Sequence, residues 1–323
     1  MSKIKCAIVG LGRIGSTLEK DKLREKPCTH AGVISFNKGC ILAGGCDTDK
    51  KKCDVFSKDW NCKAVFTDLE KMLEKIKPDI LHIATPQETH YRIIKRAVPY
   101  IPKLIICEKP LAHNLEDAKK ILDIYKKNKV KILVNHERRY SKDYIKVKNH
   151  IEAETYGELL SVSAKVYMGQ NSPAKNILLH DGTHLIDIVQ FITGKKLKIE
   201  QHQKNKDFIF MFCKADKIPV VIEAGSKRDH ILFELDISFT KGRIRIGNGL
   251  YEEYKSVKSP YYEKMRSAVL TNAKRPKKTG YFSNMMIDAI NCVSDNSKEP
   301  VSSAEDAFYV IKMIDQVCKQ SYS

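Results

Sequence analysis

A chain of 323 residues with 42% apolar content can form two domains that each bury a core, and no run in it reaches the ~18 apolar residues a membrane span needs. The formal charge of +18 invites a nucleic-acid partner, but 46 lysines against 11 arginines, spread along the whole chain, fit a solvated surface better than a phosphate reader, which favours the arginine fork. Ten cysteines without a C-x-x-C, and an apolar start too short for a signal peptide, lead us to expect a cytoplasmic protein with no metal site.

The first predicted strand, Ile4–Val9, runs into Gly10-Leu11-Gly12-Arg13-Ile14-Gly15. A G-x-G-x-x-G turn after a strand is the fingerprint of dinucleotide binding. Gly10 permits the tight turn, Gly12 lets the backbone approach a pyrophosphate, and Gly15 lets a helix pack on the strand. The N-terminus of that helix is expected to offer free N–H groups to the phosphates. An insertion, Asp21–His30, precedes the second strand, Ile41–Cys46, which ends at Asp47. A carboxylate there takes ribose hydroxyls and repels a 2′-phosphate, favouring NAD over NADP. The alternative is a turn aspartate opening the next helix, with Asp49 competing for the same task.

Further strands are predicted at Ala64–Phe66, Ile80–Ala84, Leu104–Cys107 and Val130–Asn135. They alternate with amphipathic stretches at Asp68–Ile76, Glu88–Val98 and Leu115–Lys127. Such alternation predicts an α/β domain with a doubly wound parallel sheet over residues 1–137. Its ligand edge is the carboxyl end of the strands. Two segments sit there, Thr85-Pro86 with His90, and Glu108-Lys109-Pro110. Pro110 keeps Lys109 extended at the strand tip, where a lysine orients or polarises a hydroxyl or carbonyl. The bland alternative is an exposed loop lysine.

After Arg139 the pattern changes. A helix over Ser141–Glu154 leads to a strand, Glu158–Met168, and a helix, Leu179–Ile192, that ends at Gly194. The runs Phe208–Lys214, Val220–Gly225, Ile231–Phe239, Arg243–Ile246 and Tyr251–Val257 read as strands, and helices Tyr281–Val293 and Ala304–Gln320 follow. Consecutive strands predict an α+β domain over residues 138–323 with an open, mostly antiparallel sheet. The loop Gly169–Asn176 has the composition of a flexible turn, and the basic run Lys274–Lys278 reads as a solvated loop. His180 and His184 are spaced i, i+4, which puts them on one helix face. Three readings stand open: a zinc-hydrolase-like H-D-x-x-H with no third ligand, acid/base imidazoles facing a nicotinamide, or a structural pair.

In this order the glycine turn, Thr29-His30-Ala31, Asp47, Thr85-Pro86, Glu108-Lys109-Pro110, Asn135 through Tyr140, the His180–Asp187 helix and Lys241-Gly242-Arg243 resemble the glucose–fructose oxidoreductase / inositol dehydrogenase / MocA (Gfo/Idh/MocA) family over nearly the whole chain. The resemblance implies a Rossmann domain followed by a domain whose open sheet makes a homo-dimer or homo-tetramer. It implies an NAD-dependent oxidoreductase acting on a sugar, a nucleotide-linked sugar or a cyclitol, with no nucleic-acid or membrane partner. By resemblance Lys109 binds the reacting hydroxyl and His184 takes its proton, with His180 standing where many sugar-oxidising members carry Asp. Gly10, Gly12, Arg13, Ile14, Gly15, Asp47, Thr85, Pro86, His90, Glu108 and Lys109 would line the cofactor, and Arg139 and Tyr167 would join Lys109, His180 and His184 at the substrate. The runner-up is a non-catalytic, dinucleotide-sensing regulator of the same fold.

Overall fold

A computed structural model describes residues 3–128, 130–169, 172–276 and 278–319. Gln170, Asn171, Lys277 and Gln320, which fall in the expected flexible loop, basic run and last helix, lie outside the described residues. The chain divides into two compact units, Met1–Glu137 with Gly280–Ile311, and Arg138–Thr279 with Lys312–Ser323.

The first unit runs β1 (Ile4–Val9), α1 (His30–Phe36), β2 (Cys40–Cys46), α2 (Lys50–Trp60), β3 (Val65–Phe66), α3 (Leu69–Ile76), β4 (Ile80–Ile83), α4 (His90–Ala97), β5 (Leu104–Cys107), α5 (Leu115–Lys127) and β6 (Lys131–Val134). The six strands pair in parallel in the order β3-β2-β1-β4-β5-β6. β4 and β5 are buried along their whole length, as a parallel sheet covered on both faces requires. The order reverses between β1 and β4, and ligands of such sheets bind at that switch point.

One helix departs from expectation. The glycine turn does not open directly into a long helix. A single helical turn, with Ser16 and Leu18 donating to the Gly12 and Arg13 carbonyls, passes into a 3-10 turn at Thr17–Lys20 and then a loop. α1 begins only at His30, where the His30 and Ala31 amides bond the Ile14 and Gly15 carbonyls at 3.1 and 3.0 Å. Those bonds reach sixteen residues back instead of four, so twelve residues are looped out of one helical path. Glu19 closes the loop by accepting from the Cys28 amide at 3.0 Å and the Thr29 hydroxyl at 2.7 Å. Thr29 in turn caps α1 by accepting from the Gly32 amide.

The second unit runs α6 (Lys142–Glu152), β7 (Leu159–Met168), α7 (Ala174–His180), α8 (Gly182–Thr193), β8 (Leu197–Lys204), β9 (Phe208–Ala215), β10 (Ile218–Gly225), β11 (Ile231–Phe239), β12 (Gly242–Gly247), β13 (Leu250–Lys258) and β14 (Arg266–Lys274). These strands form a sheet in the order β14-β13-β12-β11-β7-β10-β9-β8, antiparallel except between β7 and β10. Val162, Ala164 and Val166 of β7, with Val220, Ile222 and Ala224 of β10, are buried where α7 and α8 pack. β8 and β14, absent from the sequence expectation, are the two edges, and edge strands carry polar residues that hide the alternating pattern.

Two further expectations are corrected. Residues 280–311 belong with the first unit, although all of 138–323 was expected to form one domain. α9 (Tyr281–Ser294) buries Phe282, Met285, Met286 and Ala289 and packs beside α1 and β5. The Lys131 ammonium of β6 donates to the carbonyls of Cys292, Asp295, Asn296 and Lys298 at 2.6–3.2 Å, tying down the end of α9. α10 (Ala304–Lys319) closes the chain. The expected helix Leu179–Ile192 is also two helices, α7 and α8, meeting at Asp181. Thr183 donates its hydroxyl to the His180 carbonyl at 2.8 Å, which takes an acceptor from the helical ladder, and Gly182 lends no helix propensity.

Candidate active site

The glycine turn is shaped by close approaches. Gly10 holds φ +92°, and a Cβ there would lie 2.6 Å from the Ala84 carbonyl oxygen. A Cβ on Gly15 would lie 2.1 Å from the Gly10 carbonyl oxygen. Gly12 is different, because none of the described residues stands within 4 Å of the Cβ position. Among the described residues, the amides of Gly12, Arg13 and Ile14 donate to no protein group. An open glycine flanked by unpaired amides is a cradle for an anion. Asp47, at the end of β2, is locked to this turn. Its Oδ2 accepts from the Leu11 amide at 2.9 Å and its Oδ1 from the Asp49 amide at 3.0 Å. Each oxygen keeps a lone pair for a ribose hydroxyl. Asp49 is the cap of α2, accepting from the Lys51 amide. Trp60, the single tryptophan of the chain, donates its indole N–H to Ser16 at 2.8 Å, beside the same turn.

The other predicted residues of this unit gather at the tips of β4 and β5. Thr85 follows β4, and its hydroxyl accepts from Thr89 at 2.7 Å. Pro86 is exposed. His90 is fully buried and braces the two tips. Its Nε2 faces the Thr85 carbonyl at 2.9 Å, and its Nδ1 faces the Pro110 and Leu111 carbonyls at 3.1 and 3.2 Å. Burial pushes its pKa down, and a neutral ring donates on one side only. Its ring is engaged with backbone, which makes it a brace instead of the expected cofactor contact. Glu108 is buried, and its Oε1 takes two donors, His30 Nε2 at 2.9 Å and Asn135 Nδ2 at 2.6 Å. Burial works to raise this carboxyl's pKa, but the bonds from His30 and Asn135 and the charge of Lys109 outweigh it and hold it below the usual carboxylate range. Lys109 stands next in line, half-buried.

In the second unit His184 is buried in the first turn of α8, whereas His180 is exposed at the end of α7. The break at Asp181 removes the single helix on which the shared-face argument, and with it the H-D-x-x-H reading, depended. Arg139 was expected at the substrate. It is instead buried, with Nε and Nη2 donating to the two Asp187 oxygens at 2.8 and 2.7 Å. Asp187 lies one turn beyond His184, so this ion pair fixes the helix that carries the histidine. The sequence held a signal for it, since a carboxylate inside the apolar run Leu185–Val189 needs a buried partner. Tyr167 is placed with Lys165 and Glu223 on the sheet face opposite Val166. Its hydroxyl donates to Glu223 and the Arg228 guanidinium lies 4.7 Å above its ring. α7 and α8 pack against the other face, so Tyr167 does not share the surroundings of His184. His30, His82 and Asn135 were missed as site residues. A histidine inside the run Ile80–Ile83 was the available hint.

Residues 4–136 match the Gfo/Idh/MocA profile, described as an oxidoreductase family with an NAD-binding Rossmann fold. Residues 4–136 therefore carry this family's NAD-binding domain. An inositol 2-dehydrogenase of Salmonella paratyphi B is 27% identical over 199 residues, 60% of this chain and 56% of that protein. A scyllo-inositol 2-dehydrogenase (NAD+) of Bacillus subtilis is 25% identical over 69% of this chain and 65% of its own. The chain thus spans little more than half the length of the first of these relatives. A dehydrogenase structure from Clostridium difficile superposes with a TM-score of 0.76 over 98% of both chains at 20% identity, so the likeness in fold extends through both units. The cradle at Gly12 fits the nicotinamide dinucleotide that the family binds. Among the described residues no helix is long and apolar enough to cross a membrane.

Proposed function

We propose that this protein is an NAD-dependent oxidoreductase that interconverts a secondary hydroxyl and a ketone on a sugar, a nucleotide-linked sugar or a cyclitol. The observation that carries the reading is the unpaired amide cradle at Gly12–Ile14 locked to Asp47, in a chain whose relatives are named as inositol dehydrogenases. A bound nicotinamide supplies the hydride acceptor or donor. The protein's part is to hold the polyol and move a proton. Lys109 orients the reacting oxygen as a point charge, and His184 exchanges its proton. Arg13, Ile14, Thr85 and Pro86 contact the dinucleotide, and Asp47 selects NAD. His180 touches substrate from the end of α7. Ten free thiols, nine of them buried, fit a cytoplasmic setting. Phe208, Phe210 and Phe212, which share one face of β9, support a homo-dimer or homo-tetramer through that sheet.

The test is reduction of NAD+ and NADP+ by a panel of inositols, glucosides and nucleotide sugars, followed by absorbance of the reduced ring. Turnover with NAD+ is expected. Lys109→Ala should keep quenching of Trp60 by NADH but lose turnover, and His184→Ala should lose turnover as well. Tight NADH binding without turnover on any polyol would favour the dinucleotide-sensing reading.

A further inference from the structure

His30 is the first residue of α1, at the point where the looped-out helix resumes, and it is fully buried. Its Nδ1 lies 2.9 Å from His82 Nδ1 of β4, and its Nε2 lies 2.9 Å from Glu108 Oε1. The ring of Phe282 stands edge-on to it at 5.9 Å. A carboxylate only accepts, so His30 donates from Nε2. Among the described residues His82 Nε2 meets no partner, and an unpaired lone pair costs less there than an unpaired N–H. His82 therefore donates from Nδ1 to His30, and His30 donates from Nε2 to Glu108. Burial pushes the His82 pKa well below the usual range, which agrees with a neutral ring. Two successive hydrogens thus point toward Glu108, and Asn135 adds a second donor to its Oε1. The carboxylate cannot rotate without losing one of these bonds. A buried polar chain joining α1, β4 and the tip of β5 is no better for stability than apolar packing of the same volume. Its placement immediately before Lys109 gives it a second use.

We infer that His30 is a positioning residue: by donating to Glu108 it fixes the carboxylate at the tip of β5, and with it the backbone from which Lys109 departs. The inference rests on the reading of Lys109 as the group that orients the reacting oxygen. The titratable groups around Glu108 are His30 from α1, His82 from β4 behind it, His90 from α4, and Cys107 and Lys109 on its own segment. Burial pushes the pKa of His82 and His90 down and that of the Cys107 thiol up, and the Lys109 charge is among the causes that hold Glu108 low. Without the His30 bond, burial dominates and Glu108 protonates at higher pH.

The experiment titrates the full-length protein carrying 13C-carboxyl glutamate by NMR, with Glu108→Gln assigning the signal, alongside pH profiles of turnover. In His30→Leu the Glu108 signal should titrate about one pH unit or more above the parent, and the acid limb of kcat/KM should move up with it. kcat should fall on the order of ten- to a hundredfold through misplacement of Lys109. His30→Gln, whose amide reaches toward the Nε2 position, should recover most of both. If His30→Leu does not fold, His30→Asn, too short to reach Glu108, takes its place. An unmoved Glu108 titration overturns the inference, and so does a moved titration with unchanged turnover. A parent protein that turns over no polyol defeats the functional reading alone. The His30–Glu108 link is then judged on the NMR titration, where an unmoved signal still overturns it.

Discussion

Two helical paths in this protein are interrupted beside proposed site residues, and the interruptions are held in different ways. Between the glycine turn and α1, twelve residues are looped out, yet the ladder resumes in register through the His30 and Ala31 amides. Between α7 and α8 only Asp181 intervenes, and the following helix is anchored by a side chain, Asp187 on Arg139. A long insertion is thus tolerated when the backbone bonds on either side still meet. A short break leaves direction to be set by packing, and a buried ion pair supplies it. The first interruption also leaves only one helical turn behind the cradle, so its anion affinity depends on individual amides more than on a long helix dipole.

The comparison can be broken most sharply at the ion pair. Asp187→Ala strands a buried guanidinium and should cost about 4 kcal/mol in chemical denaturation. A cost below about 1 kcal/mol would mean α8 is held by apolar packing alone. At the other interruption Gly15→Ala forces a Cβ against the Gly10 carbonyl, and should lower unfolding free energy by about 3 kcal/mol and abolish NADH binding. Gly12→Ala meets open space. It should change stability by less than about 0.5 kcal/mol while weakening NADH about tenfold, measured by calorimetry. Equal effects of the two alanines would refute the division between a packing glycine and a ligand glycine. The smallest effect is expected from Ser16→Ala, which removes the acceptor of the Trp60 indole. It should cost about 1 kcal/mol and alter Trp60 emission in the free protein.

Much of the first unit was legible because its strands are continuous apolar runs and its motifs are local. β1 was placed to the residue, and the turn, Asp47 and the tips of β4 and β5 fall at one sheet edge as the motif spacing implied. His90, Arg139 and Tyr167 were legible only as residues of the right type. Each is occupied by partners distant in sequence: His90 by the Pro110 carbonyl, Arg139 by Asp187 and Tyr167 by Glu223. Periodicity over-read the run through His180 and His184, because the Thr183 hydroxyl takes the His180 carbonyl, a side-chain competition that a 3.6-residue period does not register.

What the sequence determined by itself was the set of local instructions: where apolar runs end, which glycines admit a close backbone approach, and which charged groups stand at strand tips. These follow from sterics and burial within a few residues, and they sufficed for the fold and for the family resemblance. Tertiary structure alone decided that α9 joins the first unit, that His30 meets Glu108, and that Asp187 meets Arg139. Each is a long-range pairing of buried groups, and a buried polar group takes as its partner whatever the packed chain brings within hydrogen-bond reach.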